Sequence, residues 1–173
     1  MKKALLLLFV IPLTAIAQDN FQWDVRDSTE MSKDDIYAKA KQFIAETWNE
    51  PGKVIKNDDK ESGLILLRGL HVEEMYYQMN NHRWTFSYQV KFQMRDNQWR
   101  MVIEDVHCES ARAAQYDWPR LPMSMTYPEK GFKKTSLKED RYLTIMRNVQ
   151  GAMQSLADRY VKALNEKPVT DDW

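Results

Sequence analysis

Residues 84–108 read WTFSYQVKFQMRDNQWRMVIEDVHC, with an apolar side chain at every second position, a break at Asp96-Asn97, and the same alternation resumed. Successive side chains of a β-strand point to opposite faces, so this pattern describes a hairpin with one oily side and one polar side. The rest of the chain must then cover the oily side. Register follows from the turn. A two-residue turn at Asp96-Asn97, both tolerant of positive φ, pairs Arg95 with Gln98 and sets Trp99, Met101 and Ile103 opposite Met94, Phe92 and Val90. A three-residue turn would put Arg100 and Glu104 among those apolar side chains. Because a slip of one residue reverses every side chain, the two-residue turn is preferred.

Two segments have the spacing to supply the cover. Ser32-Lys33-Asp34-Asp35 can cap a helix, and Ile36, Ala40, Phe43, Ile44 and Thr47 follow with Tyr37 and Trp48 at the edges of the stripe, until Pro51-Gly52 ends it. A second helix is expected to open at Ser136-Leu137-Lys138-Glu139, a capping-box pattern. Its stripe is Tyr142, Ile145, Val149, Met153, Leu156, Tyr160 and Leu164, with a stop near Pro168. Such a helix is roughly 40 Å long, enough to cross a sheet. Between the helices, strands are expected over 54–58, 64–79, 84–95 and 98–108, with a short one over 21–25 before the first helix. The hairpin preceding the ribbon is read as turning at Asn80-Asn81, pairing Tyr77 with Trp84 and Met75 with Phe86, although several turn lengths fit. The fold class is therefore α+β: an antiparallel sheet in the order strand, helix, four strands, helix, with both helices packed on one face.

The amino terminus has the three parts of an export signal: Met1-Lys2-Lys3, an apolar run from Ala4 to Leu13, and Ala15-Ile16-Ala17 at a cleavage position. Residues 1–17 are read as a signal peptide, with a single domain over 18–173 and its core at about 21–165. The expected location is periplasmic or secreted. No cysteine sits at the cut site, so a lipoprotein is not expected, and no membrane span is expected either. The chain has 25 basic and 25 acidic residues; the leader takes Lys2, Lys3 and no acid, leaving the remainder at −2. That balance argues against nucleic acid as a partner. The single cysteine, Cys108, excludes an internal disulfide and zinc-finger or CxxC chemistry. No metal or cofactor is expected.

Three stretches carry a likeness to a known family: Ser-Lys-Asp-Asp-Ile-Tyr at 32–37, Val-Ile-Lys-Asn-Asp-Asp-Lys-Glu-Ser-Gly-Leu-Ile at 54–65, and Gln-Trp-Arg-Met-Val-Ile-Glu-Asp at 98–105. Over roughly residues 30–108 the chain resembles a secreted bacterial domain of unknown function with a TBP-like (TATA-binding-protein-like) fold. The resemblance implies the same strand, helix, four-strand, helix order. Its motifs are helix starts, hairpin turns and strand patterns, and it brings no catalytic residues.

The inferred registers sort the residues by face. The even positions from Trp84 to Met94, with Trp99, Met101, Ile103, Ile65 and Leu67, face the helices. The other face holds Lys91, Gln93, Arg95, Arg100 and Glu104, and also Leu66, Leu70, Val72, Tyr76, Val102 and Val106, more apolar surface than plain solvent exposure requires. Leu70, Val72, Val102, Val106 and Trp118 are the candidate ligand-binding residues. Trp118 belongs to the apolar, proline-interrupted segment 109–135, which is either a fixed cover or a lid. On the helix side, Glu73, Tyr88 and Asp105 would form one row with His71 and His107 in neighbouring rows. These five are the candidate catalytic residues, since a histidine near a carboxylate can act as a general base. The plainer reading, that a polar row marks the limit of the helix cover, is preferred. Asp58-Asp59-Lys60-Glu61-Ser62-Gly63 is read as a hairpin turn rather than a calcium loop. The expected function is an exported, non-enzymatic binding module that uses the half-apolar face and the 109–135 segment, its partner a small apolar ligand or an envelope protein. The alternatives are a structural or assembly protein of the envelope and a hydrolase-like enzyme.

Overall fold

The computed structural model describes residues 21–77, 80–108 and 138–166. The leader at 1–17, the start at Gln18, the Ser136 cap and the segment 109–135 with Trp118 lie outside them. The described elements are β1 (Trp23–Ser28), α1 (Lys33–Thr47), α2 (Pro51–Val54), β2 (Ile55–Asp59), β3 (Leu64–Tyr77), β4 (Asn80–Arg95), β5 (Gln98–Cys108) and α3 (Glu139–Asn165). The five strands form one antiparallel sheet in the order β1-β5-β4-β3-β2. Both long helices lie on one face.

The β4–β5 hairpin has the expected register, with Arg95 opposite Gln98, Met94 opposite Trp99, Phe92 opposite Met101 and Val90 opposite Ile103. Of the two turn residues only Asn97 takes positive φ, at 62°. The turn is clasped from outside: Thr29 N–H donates to the Asn97 carbonyl at 2.9 Å, Asn97 N–H to the Met31 carbonyl at 3.0 Å, and Lys33 N–H to Asp96 Oδ1 at 2.8 Å. Asp96 thus satisfies an end N–H of α1, so the helix start and the hairpin turn position each other. Ser32 caps α1, its side chain accepting from Asp35 N–H at 3.2 Å. Residues 60–63 form the β2–β3 turn, with Ser62 N–H bonded to Asp59 Oδ1 at 3.0 Å and Gly63 at φ +66°.

Ile36, Ala40, Phe43 and Ile44 of α1 and Tyr142, Ile145, Val149, Met153, Leu156, Tyr160 and Leu164 of α3 are buried, as their spacing predicts. They close over Ile65, Leu67, Phe86, Val90, Phe92, Met94, Trp99, Met101 and Ile103. At the centre Tyr160 meets Phe92 at 4.7 Å, Phe43 at 5.2 Å and Trp99 at 5.4 Å between ring centroids, tilted or edge to face. Such pairs add to simple area burial.

Four expectations are corrected. The first helix stops at Thr47 with Trp48 as an extended cap, and Pro51 opens the one-turn α2 instead of ending α1, because proline fits the first turn of a helix. Helix α3 begins at Glu139, with extended Lys138 as its cap and no side-chain cap bond, two residues later than the start expected after Ser136. The β3–β4 hairpin does not turn at Asn80-Asn81, which belong to β4: Tyr77 lies opposite Asn80, Trp84 opposite Glu73 and Phe86 opposite His71. The displacement is four residues, an even number, so the alternation of faces survives it and hydrophobic pattern alone cannot detect it. Finally, a bulge interrupts β5. The register shifts between Ser87 and Gln89, and Asp105 adopts φ 58°. One extra residue on one strand reverses the faces beyond it. Val106 therefore joins the core and Cys108 packs against it, while His107, opposite Ser87, leaves the helix-facing side.

Candidate functional site

The bulge and the four-residue shift divide the five candidate catalytic residues. His71 and Glu73 remain on the helix-facing side of β3, where His71 Nε2 lies 3.3 Å from Glu73 Oε2 and Asn148 of α3 donates to Glu73 Oε1 at 2.6 Å. Glu73 therefore ties the strand to the long helix. Asp105 and His107 are 3.3 Å apart, Oδ1 to Nδ1, and Gln89 donates to Asp105 Oδ2 at 2.7 Å. Gln89 and His107 belong to the opposite face, so the two histidine–carboxylate pairs are separated by the thickness of the sheet.

Tyr88 lies opposite Gly69 rather than Glu73. Its ring fills the space a side chain at Gly69 would need: a Cβ there would stand 2.3 Å from the ring. A glycine inside a strand commonly marks such a close approach, and that was the sequence signal available for this contact. Burial pushes the Tyr88 hydroxyl above its ordinary range, a shift partly opposed by a hydrogen bond with the Trp48 side chain. A cavity of about 320 Å³ adjoins these groups, lined by Trp48 at the end of α1, Leu70 and His71 of β3, Tyr88, and Met153 and Arg159 of α3. Ser155 and Thr47 also line it, but neither hydroxyl is hydrogen-bonded to His71. Among the described residues, therefore, no serine or threonine hydroxyl bonds to His71, the contact through which a histidine activates such a nucleophile for acyl transfer.

The open face is built differently at its two ends. Leu70, Val72 and Tyr76 of β3 are 60%, 38% and 74% exposed. They alternate along the part of β3 that extends past β2, whose pairing stops at Leu67. From Arg68 onward the outer edge of β3 has no strand neighbour among the described residues. Val102, in contrast, is only 4% exposed. Its row neighbours are Asp24 and Lys91, and the ion pairs Arg100–Asp24 and Lys91–Glu104 flank it, so the stems of long charged side chains surround an apolar centre. Of the five candidate ligand-binding residues, Leu70 and Val72 are therefore exposed together, Val102 is sealed, Val106 faces the core, and Trp118 lies outside the described residues.

At the other end, beside the two hairpin turns, a groove of about 680 Å³ is lined by Arg26 and Ser28 of β1, Leu64 of β3, Gln93 and Arg95 of β4, and Gln98 and Arg100 of β5. Arg100 donates from Nε and the second terminal nitrogen to the two oxygens of Asp24, at 2.8 and 2.6 Å. That bidentate pair holds the Asp24 carboxyl below its ordinary range, through the hydrogen bond first and the charge second. Arg26 was missed from sequence because its segment was read to end at Val25.

Fold and faces together define an α+β domain: a five-stranded antiparallel sheet, helices on one side, and a half-apolar, half-basic surface on the other. Over residues 23–109 the chain matches the domain of unknown function (DUF4468) with TBP-like fold, and it belongs to that family. It is similar in fold to the crystal structure of a DUF4468 family protein from Bacteroides ovatus, with TM-score 0.58 and 14% identity over 87% of this chain and 90% of that one. A TBP-like protein from Parabacteroides distasonis superposes with TM-score 0.57 and 14% identity, covering 86% of this chain and 96% of the other. No curated protein matches the sequence. Among the described residues no helix is long and apolar enough to cross a membrane.

Proposed function

We propose that the protein is an exported, non-enzymatic binding module that uses the exposed side of its sheet to hold a partner of the cell envelope. The observation that carries this reading is the strip of exposed Leu70, Val72 and Tyr76 on the part of β3 that extends past its pairing with β2. Large exposed apolar side chains along the margin of a sheet suit an extended polypeptide, which seats alternate side chains. They do not enclose a small molecule. The leader pattern at residues 1–17 supports export. A structural assembly protein would use the same strip against copies of itself.

Native mass spectrometry of the protein isolated from its own envelope tests this, with Leu70→Asp/Val72→Asp as the comparison. A bound polypeptide retained by the wild type and lost by the variant, at unchanged melting temperature, is expected. Multiples of the chain's own mass would replace the binding reading with the assembly one. An unaccompanied wild-type chain, or a bound species indifferent to the substitutions, would overturn both.

A further inference from the structure

We propose that the groove beside the two hairpin turns is an oxyanion site, in which Arg26 and Arg95 bracket a phosphate or sulfate group. The two side chains stand on strands that flank β5, two residues apart along the sheet and so about 12 Å apart in backbone, and both line the groove. Three other cations on this face are matched: Lys91 with Glu104, Arg100 with Asp24, Arg83 with Glu74. The side chains of Arg26 and Arg95 make no hydrogen bond or ion pair with any described residue.

Their placement carries an electrostatic cost. Arg26 lies directly opposite Arg100 across the β1–β5 ladder, and like charges facing each other across a sheet are destabilising. Asp24 answers one of the two, since it grips Arg100 through both carboxylate oxygens, while Gln93 accepts from the remaining terminal nitrogen of Arg100 at 3.3 Å. Arg100 is thereby fixed as part of the floor. The charge of Arg26 is felt at Asp24 but not neutralised there. The other acid on the groove wall, Asp27, sits on the helix-facing side of β1 opposite Trp99 and accepts from Ser28 N–H at 2.7 Å. A tetrahedral oxyanion over β5 would meet two guanidinium forks, with the Gln98 amide and the Ser28 hydroxyl available as further donors. Planar guanidinium groups match such oxygens in pairs. The groove is larger than one such group, so it has room for the molecule that carries it.

This site is independent of the apolar strip at the far end of the face. Its test is calorimetric titration of the full chain with inorganic phosphate, inorganic sulfate and phenyl phosphate, in chloride at constant ionic strength. Saturable binding is expected, weakened about tenfold or more by Arg26→Gln/Arg95→Gln, with melting temperature unchanged or raised, since the like charge opposite Arg100 is removed. Lys53→Gln on α2 controls for general charge and should leave affinity as it is. Leu70→Asp/Val72→Asp should also leave it, which separates this result from the binding reading above. Equal affinity for inorganic and phenyl phosphate would identify the free anion as sufficient; tighter binding of the ester would identify a carried group. Absence of saturable binding to all three probes, or binding unaltered by the double substitution, would overturn the proposal.

Discussion

Tyr160 shows how much one residue can do in this core and what it leaves undone. Its ring is the hub on which Phe43, Phe92 and Trp99 meet, yet its buried hydroxyl has no hydrogen-bond partner among the described residues. An unpaired buried polar group is costly, whereas removing it and keeping the ring retains the packing. Tyr160→Phe is expected to be neutral or to stabilise by up to about 1 kcal/mol in denaturant unfolding. Phe92→Ala, which removes a ring from the same hub, should cost on the order of 3 to 5 kcal/mol in the same measurement. The burial of both rings is legible from spacing: Tyr160 falls on the three-four stripe of α3 and Phe92 on the alternation of β4. The orphaned hydroxyl is not legible, because it depends on which atoms three other elements bring near it.

Among the elements, β5 carries the most consequence through one residue. Asp105 at φ 58° forms the bulge that turns Val106 inward and His107 outward. Glycine adopts that conformation without strain and a β-branched residue does not. Asp105→Gly should change stability by less than about 1 kcal/mol, the eased backbone offsetting the lost bonds to Gln89 and His107, while Asp105→Val should cost about 1 to 3 kcal/mol. Equal losses for the two variants would show that the side-chain bonds, not the backbone, hold the bulge. Strand β3 presents the complementary case: beyond Leu67 its outer edge has no strand neighbour among the described residues, and large exposed apolar side chains lie along it, a combination that proteins usually protect. On Val102→Arg the expectation is plain: a charge forced into a 4% exposed position should destabilise by more than the 0.5 kcal/mol or so typical of surface changes, read as a lowered melting temperature.

At the scale of the whole molecule, charge pairs join elements distant in sequence and give stability a pH profile. The Lys41 hydrogen bond, followed by that of Tyr37, holds Asp58 below its ordinary pKa of 3.8, and Arg100 does the same for Asp24. A depressed carboxyl pKa contributes stability that is present above about pH 4 and is lost as pH falls through the folded-state values. Each exposed pair supplies no more than about 1 kcal/mol. Tyr37 behaves in the opposite sense. Desolvation, then its bond to Asp58, pushes it from 10.0 to about 12, so its contribution is complete below pH 10 and is lost as pH rises toward 12. Burial also raises Tyr88 and Tyr160. Melting temperature against pH should therefore fall at both ends. Asp24→Asn should flatten the acid limb, and ultraviolet titration should show a late-ionising set of tyrosines.

Hydrophobic period and turn chemistry by themselves determined the α+β order, the two buried helix stripes, the β4–β5 register and the face of every residue from Trp84 to Glu104. Each of these is a local rule in which one wrong register would bury charge, so the pattern is unambiguous. The β3–β4 register was decided only in three dimensions, since a slip of four residues preserves alternation and leaves no apolar penalty to detect it. So was the bulge at Asp105, because one inserted residue in a strand has no period of its own, and with it the division of the histidine–carboxylate pairs between opposite faces. The basic groove had to wait for the structure as well: Arg26 and Arg95 are far apart in the chain, and only the insertion of β5 between their strands makes them a pair.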